Sequence, residues 1–364
     1  MKIRPGVNEE DPLILFLYNV EHKAPYGNPM DLIALQETAN TAAQLIKALR
    51  ARGYRVHPIE VEHSLTELRQ ALKPFSPRQN FIFNYCDSFR GNNLAAVKIV
   101  HLIETLGFKH TGSSAEVVTA CIDKSRMKQR LAAAGIPTPR YQVFTEARGE
   151  FQHRFPAIVK PMTDDGSVGI NLESVVSDQQ ALLKQVGCVL HNYRQPALVE
   201  EFIGGRELAV SAWGNEVIEV LPIAEQDYSA IENPLNRLLT YDAKWVEDSA
   251  YYHNIPTRVP ADLTPEEARL VSETTVRAMR TVGLRDFCRA DIRYEDGVPY
   301  IIDINEIPDL ALGAGFPNSA LAAGYTYADI PEHILQLALK REDWHYQLPL
   351  LKSVSPRLQM ANAS

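Results

Sequence analysis

Phe287-Cys288-Arg289-Ala290-Asp291-Ile292-Arg293-Tyr294-Glu295-Asp296-Gly297-Val298-Pro299-Tyr300-Ile301-Ile302-Asp303-Ile304-Asn305 is the stretch on which the fold reading turns. Charged and apolar positions alternate through Tyr294, the chain turns at Glu295-Asp296-Gly297, and it returns from Val298 to Asn305, so the whole reads as one β-hairpin. A three-residue loop with Gly297 in the left-handed region pairs Tyr294 with Val298 and Arg289 with Asp303. It sets Arg289, Asp291, Asp303 and Asn305 on one face, whereas a two-residue loop splits them. Asp291 and Asp303 then lie on a diagonal roughly 7 Å apart. That separation suits carboxylates sharing divalent cations, with Asn305 adding a neutral oxygen. Taken alone, the hairpin supports two readings: metal-assisted chemistry, or a solvated sheet face with ordinary ion pairs.

At 364 residues the chain is too long for one ordinary core, so two or three domains are expected, with room for a ligand between them. A net charge of −8 and a pI near 5.7 leave no basic footprint for nucleic acid or a membrane surface, which points to small-molecule partners. Cys86, Cys121, Cys188 and Cys288 are scattered, without metal-ligand spacing, and read as reduced thiols. No basic leader and no membrane-length apolar run is apparent, so a soluble, cytoplasmic protein is expected.

Strand and helix signals alternate through the first third: strands at 13–20, 54–61 and 81–86, helices at 31–52, 65–72 and 94–106. This is the pattern of a small α/β domain with a parallel sheet. A helical run over 115–134 leads to a strand at 141–144, placing a boundary near residue 110. A second unit follows, with strands at 155–160 and 197–201 around a helix near 178–186. A β-rich third unit holds strands near 207–213 and 217–221, a helix from 264 to 282 opened by Thr264-Pro265-Glu266-Glu267, and the hairpin. The expected units are 1–110, 111–203 and 204–364. The irregular span 227–260 is long enough to be a lid.

Asp164-Asp165-Gly166-Ser167-Val168-Gly169 follows the strand Ile158-Val159-Lys160-Pro161. Its small residues allow backbone N–H groups to approach a phosphate, and Lys160 supplies a cation, although the P-loop pattern is absent and, taken alone, the motif reads first as a plain glycine turn. Lys124, Lys160 and Lys244 come from three segments that could converge on polyphosphate; singly, each is an ordinary surface charge. Glu200, Glu201 and Glu207 bracket Phe202-Ile203 and singly read as strand-end charges.

This ordered set resembles the ATP-grasp ligases, and within them the D-alanine–D-alanine ligase group. The segments that carry the resemblance are Asp123-Lys124, Phe155 to Pro161, Gly166 to Gly169, Val199 to Ile203, Gly205-Arg206-Glu207, Tyr241 to Lys244, Arg289-Ala290-Asp291 and Ile302 to Asn305. The resemblance implies an ATP-grasp fold of three domains, α/β with an α+β C-terminal part, holding ATP between the central and C-terminal domains. By similarity, Lys124 and Lys160 contact the phosphates under the Gly166-Ser167 loop, Glu200, Glu201 and Ile203 belong to an adenine-binding linker, Glu207 holds the ribose, and Lys244 reaches phosphate from a mobile loop. Asp291, Asp303 and Asn305 match magnesium ligands, for two Mg2+ ions with Mn2+ as a substitute. Arg289 matches the arginine that stabilises a tetrahedral intermediate. The implied chemistry is phosphoryl transfer to a carboxylate, then attack by an amine on the acyl phosphate. The sequence alone does not give the oligomeric state, although relatives are often dimers built through the N-terminal domain, which makes a homodimer possible.

The chain departs from the family's D-alanine site. The group has serines where this sequence has Gly166 and Ala314, and a tyrosine where it has Trp245. The usual glycine-rich segment ending in a substrate-binding glutamate is missing after the first strand, where Tyr18-Asn19-Val20-Glu21 stands instead, and the family's Pro-Gly is Pro308-Asp309. The ATP machinery is kept and the amino-acid contacts are changed, which favours a ligase joining a different carboxylate, or other phosphorylatable oxygen, to an amine. Three alternatives are a D-alanine–D-alanine or D-alanine–D-lactate ligase with a rewired pocket, a kinase, and a non-catalytic ATP-binding regulator. Arg289 counts against the regulator, which has no use for an arginine aimed at an acyl intermediate.

Overall fold

The computed structural model describes residues 13–20, 32–89, 92–242 and 253–344. Three sheets organise them. The first is parallel, with β1 (Leu13–Asn19) between β2 (Val56–Val61) and β3 (Asn80–Tyr85). Its crossovers are α1 (Leu32–Ala51) and α2 (Leu65–Leu72), the latter capped by Ser64, and α3 (Asn93–Thr105) follows β3. β1 and β3 are almost wholly buried, as apolar strands covered on both faces must be.

The helical run expected over 115–134 is two helices. α4 (Ala115–Ile122) ends at Asp123, whose extended backbone breaks the run and whose carboxylate caps α5 (Lys124–Ala133) by accepting from Ser125 N and Arg126 N. An aspartate within an apolar-periodic stretch is thus a junction. Both helices pack on the third sheet, where Val117, Cys121, Met127 and Leu131 share a core with Val210, Ala290 and Ile304.

The second sheet, in the order β4-β7-β5-β6, has a core of its own. Its members are β4 (Tyr141–Phe144), β5 (Ala157–Pro161), β6 (Val175–Val176) and β7 (Ala197–Glu201), backed by α6 (Gln179–Tyr193). The third runs β11-β10-β8-β12-β13, with β9 beside β8. It is built from β8 (Arg206–Gly214), β9 (Ile218–Val220), β10 (Ala224–Gln226), β11 (Thr257–Arg258), β12 (Phe287–Glu295) and β13 (Val298–Asn305). α7 (Pro265–Val282), opened by a complete capping box between Thr264 and Glu267, covers one face and leaves the other for the cleft. α8 (Gly315–Ala322) and α9 (Asp329–Arg341) cross back to the first sheet. No helix among the described residues is long and apolar enough to cross a membrane.

The hairpin departs from its expected register. Glu295 pairs with Val298, leaving a two-residue turn at Asp296-Gly297 with φ of +49° and +78°. That register alone would turn Asp303 and Asn305 away from Arg289 and Asp291. A β-bulge restores the common face: Ile292 pairs with Ile301 but Asp291 pairs with Asp303, so Ile302 is the extra residue, and Arg289 then faces Asn305. Asp291 and Asp303 are therefore directly opposed, and the diagonal expectation is corrected.

Candidate active site

A cleft between the second and third sheets encloses about 940 Å³ of atom-free space, part of it open to solvent, within the range of small-ligand sites. It is lined by Lys124, Lys160, Gly166, Ser167, Glu200, Glu201, Ile203, Glu207, Arg289, Asp291, Asp303 and Asn305, so every sequence-derived candidate among the described residues meets there. Lys244 lies outside the described residues, as do Glu21 and Trp245.

On the floor of the cleft, Arg289 donates twice to Asp291, Nε to Oδ1 at 2.7 Å and Nη2 to Oδ2 at 2.9 Å, and Asn305 Nδ2 donates to Asp291 Oδ2 at 3.2 Å. Burial opposes the guanidinium charge, but Asp291 and its acidic neighbours hold Arg289 firmly protonated. Opposite, Lys124 Nζ lies 3.1 Å from Asp303 Oδ2 and 2.8 Å from Asp165 Oδ1, and donates to the Asp164 carbonyl at 2.9 Å. Lys124 is 3 % exposed. Burial alone would lower its pKa; Asp165 and Asp303 outweigh that and raise it. For Asp303 the signs reverse: burial pushes the carboxyl up, while Lys124 and Lys160 bring it below the usual range. For Glu306, buried behind the hairpin end, burial followed by repulsion from Asp165 outweighs the pull of Lys124 and raises the carboxyl well above the ordinary value.

The loop over this floor is pinned on several sides. Asp165 accepts from Asn93 Nδ2 at 3.1 Å, Asp164 from Gln195 Nε2 at 2.7 Å, and Ser167 Oγ donates to the Leu239 carbonyl at 2.9 Å. Gly166, Ser167 and Gly169 all have positive φ. At Gly169 a Cβ would stand 2.6 Å from Pro161 Cγ, which accounts for glycine there.

In the wall, Glu200 is divided between two lysines, Oε1 to Lys128 Nζ at 2.7 Å and Oε2 to Lys160 Nζ at 2.9 Å. Burial raises the Glu200 carboxyl, but Lys128 and Lys160 bring it below its ordinary value. Strand alternation turns Glu201 the other way, where Arg140 Nη2 lies at 2.9 Å and Arg154 N donates at 3.1 Å, so its main chain is what it can offer a ligand. Glu207 pairs with Arg293 at 2.5 Å and accepts from Tyr228 Oη at 2.6 Å, while the Arg293 guanidinium stacks over Phe202 and Tyr228.

Sequence reasoning missed Lys128, Arg293 and Asp165. Lys128 follows Lys124 by one helical turn, and Arg293 extends the two-residue alternation of Arg289 and Asp291, so spacing alone could have found both. Among the described residues no three His, Cys, Asp or Glu side chains form a metal cluster. The hairpin supplies two opposed carboxylates, each already on a cation, and one amide. Such a set fits magnesium, which usually keeps waters and shares one or two protein carboxylates with substrate phosphates.

Residues 131–336 match the family model described as the D-ala D-ala ligase C-terminus. The chain belongs to the D-alanine–D-alanine ligase family. This member is 30% identical over 307 residues to an uncharacterised protein of Sinorhizobium fredii, covering 82% of this chain and 88% of the other. It is 27% identical over 296 residues to the D-alanine–D-alanine ligase of Pseudothermotoga lettingae, covering 81% and 92%. The solved D-alanine–D-alanine ligase of Bacillus anthracis, in a complex with ATP, superposes with a TM-score of 0.69 at 19% identity, covering 90% of this chain and 98% of that one. The fold is ATP-grasp, and the family member is an ADP-forming carbon–nitrogen ligase.

Proposed function

We propose that the cleft joins a small-molecule carboxylate to an amine other than the D-alanine pair, at the expense of ATP. The observation that carries this is the direct opposition of Asp291 and Asp303 with Arg289, Lys124 and Lys160 arranged around them, in one cleft. In this reading the units are 1–110, 111–203 and 204–364, with nucleotide between the last two. Glu200 and the main chain of Glu201 to Ile203 take the adenine, Glu207 the ribose, and Lys124, Lys160 and Lys244 the phosphates beneath the Gly166-Ser167 loop. Asp291, Asp303 and Asn305 hold magnesium, taken as two ions with manganese an acceptable substitute, which neutralises the triphosphate and the transferred phosphoryl group.

A carboxylate is a poor electrophile; as an acyl phosphate it carries a leaving group that an amine can displace. Arg289 then stabilises the oxyanion that develops during amine attack, and a lid closed over the cleft would keep water from the activated acyl group. The substrate reading rests on Gly166, Ala314 and Trp245 in place of the family's serines and tyrosine, which removes donors for a small amino-acid carboxylate. An ADP-release screen over paired amino acids and small carboxylates, with product masses recorded, tests it. Magnesium-dependent ADP release only in the presence of both partners, with a product mass equal to their sum less water, supports it. ADP release without an amine would instead make the protein a kinase.

A further inference from the structure

Lys128 is fully buried, one helical turn from Lys124 on α5, and is absent from the cleft lining. It reaches the site only through Glu200. Its Nζ lies 2.7 Å from Glu200 Oε1 and donates to Thr138 Oγ1 at 2.9 Å, and the Thr138 hydroxyl donates to the Ile301 carbonyl at 2.8 Å, beside the bulge. Lys160 holds the other Glu200 oxygen and does line the cleft. Among the described residues these two lysines are the only cations paired with Glu200.

The arrangement is asymmetric in a way that matters for ligand exchange. Lys160 Nζ also reaches the Ile302 carbonyl at 3.5 Å, and a turn toward a phosphate would weaken its hold on Glu200. A buried carboxylate stripped of every cation is among the least favourable arrangements in a protein interior. With Lys128 fixed on Oε1 and anchored through Thr138, Glu200 keeps a counter-charge when Lys160 leaves. Without Lys128, Glu200 would retain Lys160 as its sole partner and compete with the nucleotide for it.

We propose that Lys128 is a positioning residue for nucleotide binding, holding the Glu200 carboxylate so that Lys160 is released to the phosphates. The inference rests on the nucleotide reading of the cleft. It is tested by calorimetric titration of ADP, with magnesium present, into the wild type, Lys128→Met, Glu200→Gln and the double variant, with thermal unfolding of each recorded alongside. Lys128→Met alone should weaken ADP by about ten- to a hundredfold, the scale of one charged hydrogen bond. In the Glu200→Gln background the same change should have no effect, because the carboxylate that captures Lys160 is gone. Lys128→Arg should bind ADP within a few-fold of wild type. If Lys128→Met does not fold, Lys128→Gln, which keeps a donor for Thr138, takes its place in the cycle.

A merely structural lysine would lower the unfolding temperature and weaken ADP equally in both backgrounds, and that result overturns the proposal. Wild-type affinity in Lys128→Met overturns it as well and leaves the nucleotide reading standing. Failure of the wild type to bind ADP would overturn both.

Discussion

The guanidinium of Arg289 lies fork to fork on the carboxylate of Asp291, at 2.7 and 2.9 Å. Bidentate pairs of this kind are the strong ones, so Arg289 fixes the orientation of the Asp291 carboxylate. Lys124 holds Asp303 at 3.1 Å in the same way. Asp291 and Asp303 would hold magnesium in competition with these two cations, and the metal would supply charge neutralisation for the triphosphate.

Asp291→Asn and Asp303→Asn should each abolish magnesium-dependent ADP release while leaving the circular-dichroism spectrum and cooperative unfolding intact. Each removes a charged ligand from the opposed pair. Turnover within a few-fold of wild type in both variants would sink the two-metal assignment.

Lys160→Ala and Arg289→Ala should part company in steady-state kinetics. The first removes a point charge from the phosphate path and should raise KM for ATP; the second should mainly lower kcat, by about a hundred- to a thousandfold if it acts as an oxyanion donor. Should Arg289→Ala raise KM for ATP with kcat unchanged, the arginine would be a ground-state phosphate ligand.

Gly205→Ala is expected to destabilise by about 1–3 kcal/mol or more, as an overpacked site does. An added Cβ there would stand 2.1 Å from the Tyr294 carbonyl oxygen, which is backbone and cannot rotate away. Gly204→Ala is the control, because its nearest neighbour is Glu295 Oε1 at 3.5 Å. Thermal unfolding of the pair should separate them clearly, and equal midpoints would contradict the packing argument.

Burial holds the Lys128 pKa down at about 8, against the attraction of Glu200. Between that value and the unfolded lysine value of about 10.4, the unfolded chain binds more protons than the folded one, so this group's contribution to stability improves as pH rises. Relative to Lys128→Met, the wild type should therefore gain unfolding free energy between pH about 8 and 10. A difference that is flat or falls with pH would contradict the assignment.

D-Alanine alone should give little or no ADP release. Losing one matched hydrogen bond to a substrate carboxylate costs about 1.5–3 kcal/mol, roughly ten- to a hundredfold, and more than one such contact is changed. Efficient D-alanyl-D-alanine synthesis, with kcat/KM of ~10⁴ M⁻¹s⁻¹ or more, would show that other residues replace the missing donors.

Much of this was legible in the chain because local rules and tertiary demands agree. The 3.6 and 2.0 periodicities placed α2 and β7 at the expected bounds, and the Thr264 capping box opened α7 as its residues require. Where they disagree, a single residue is responsible. Asp296-Gly297 is the stronger signal for a tight turn and sets the two-residue register; Ile302 then absorbs the mismatch, and no pattern in the sequence announces a bulge at an isoleucine. Asp123 looks like one polar position in a continuous helix until its carboxylate is seen capping the next. Lysine in a helix usually means solvent, whereas the burial of Lys128 depends on Glu200, 72 positions away, arriving from another sheet. The one-turn spacing from Lys124 marks the helix face of Lys128, but a pairing over that distance has no local signature.

The core shared by the first sheet with α8 and α9 has a consequence for how the protein is made. Ile14, Phe16, Phe81 and Phe83 are sealed by Phe316, Ile330, Ile334 and Leu335. Chains emerge from the ribosome at about 5–20 residues per second, and domains usually fold as they appear. Here α1 covers part of the first sheet through Ala42, Leu45, Ile46 and Leu49, but the rest of that face must wait for α8 and α9. A nascent chain stalled before Gly315 should accordingly be a strong chaperone client, whereas one stalled just after Arg341 leaves the exit tunnel should already resist protease.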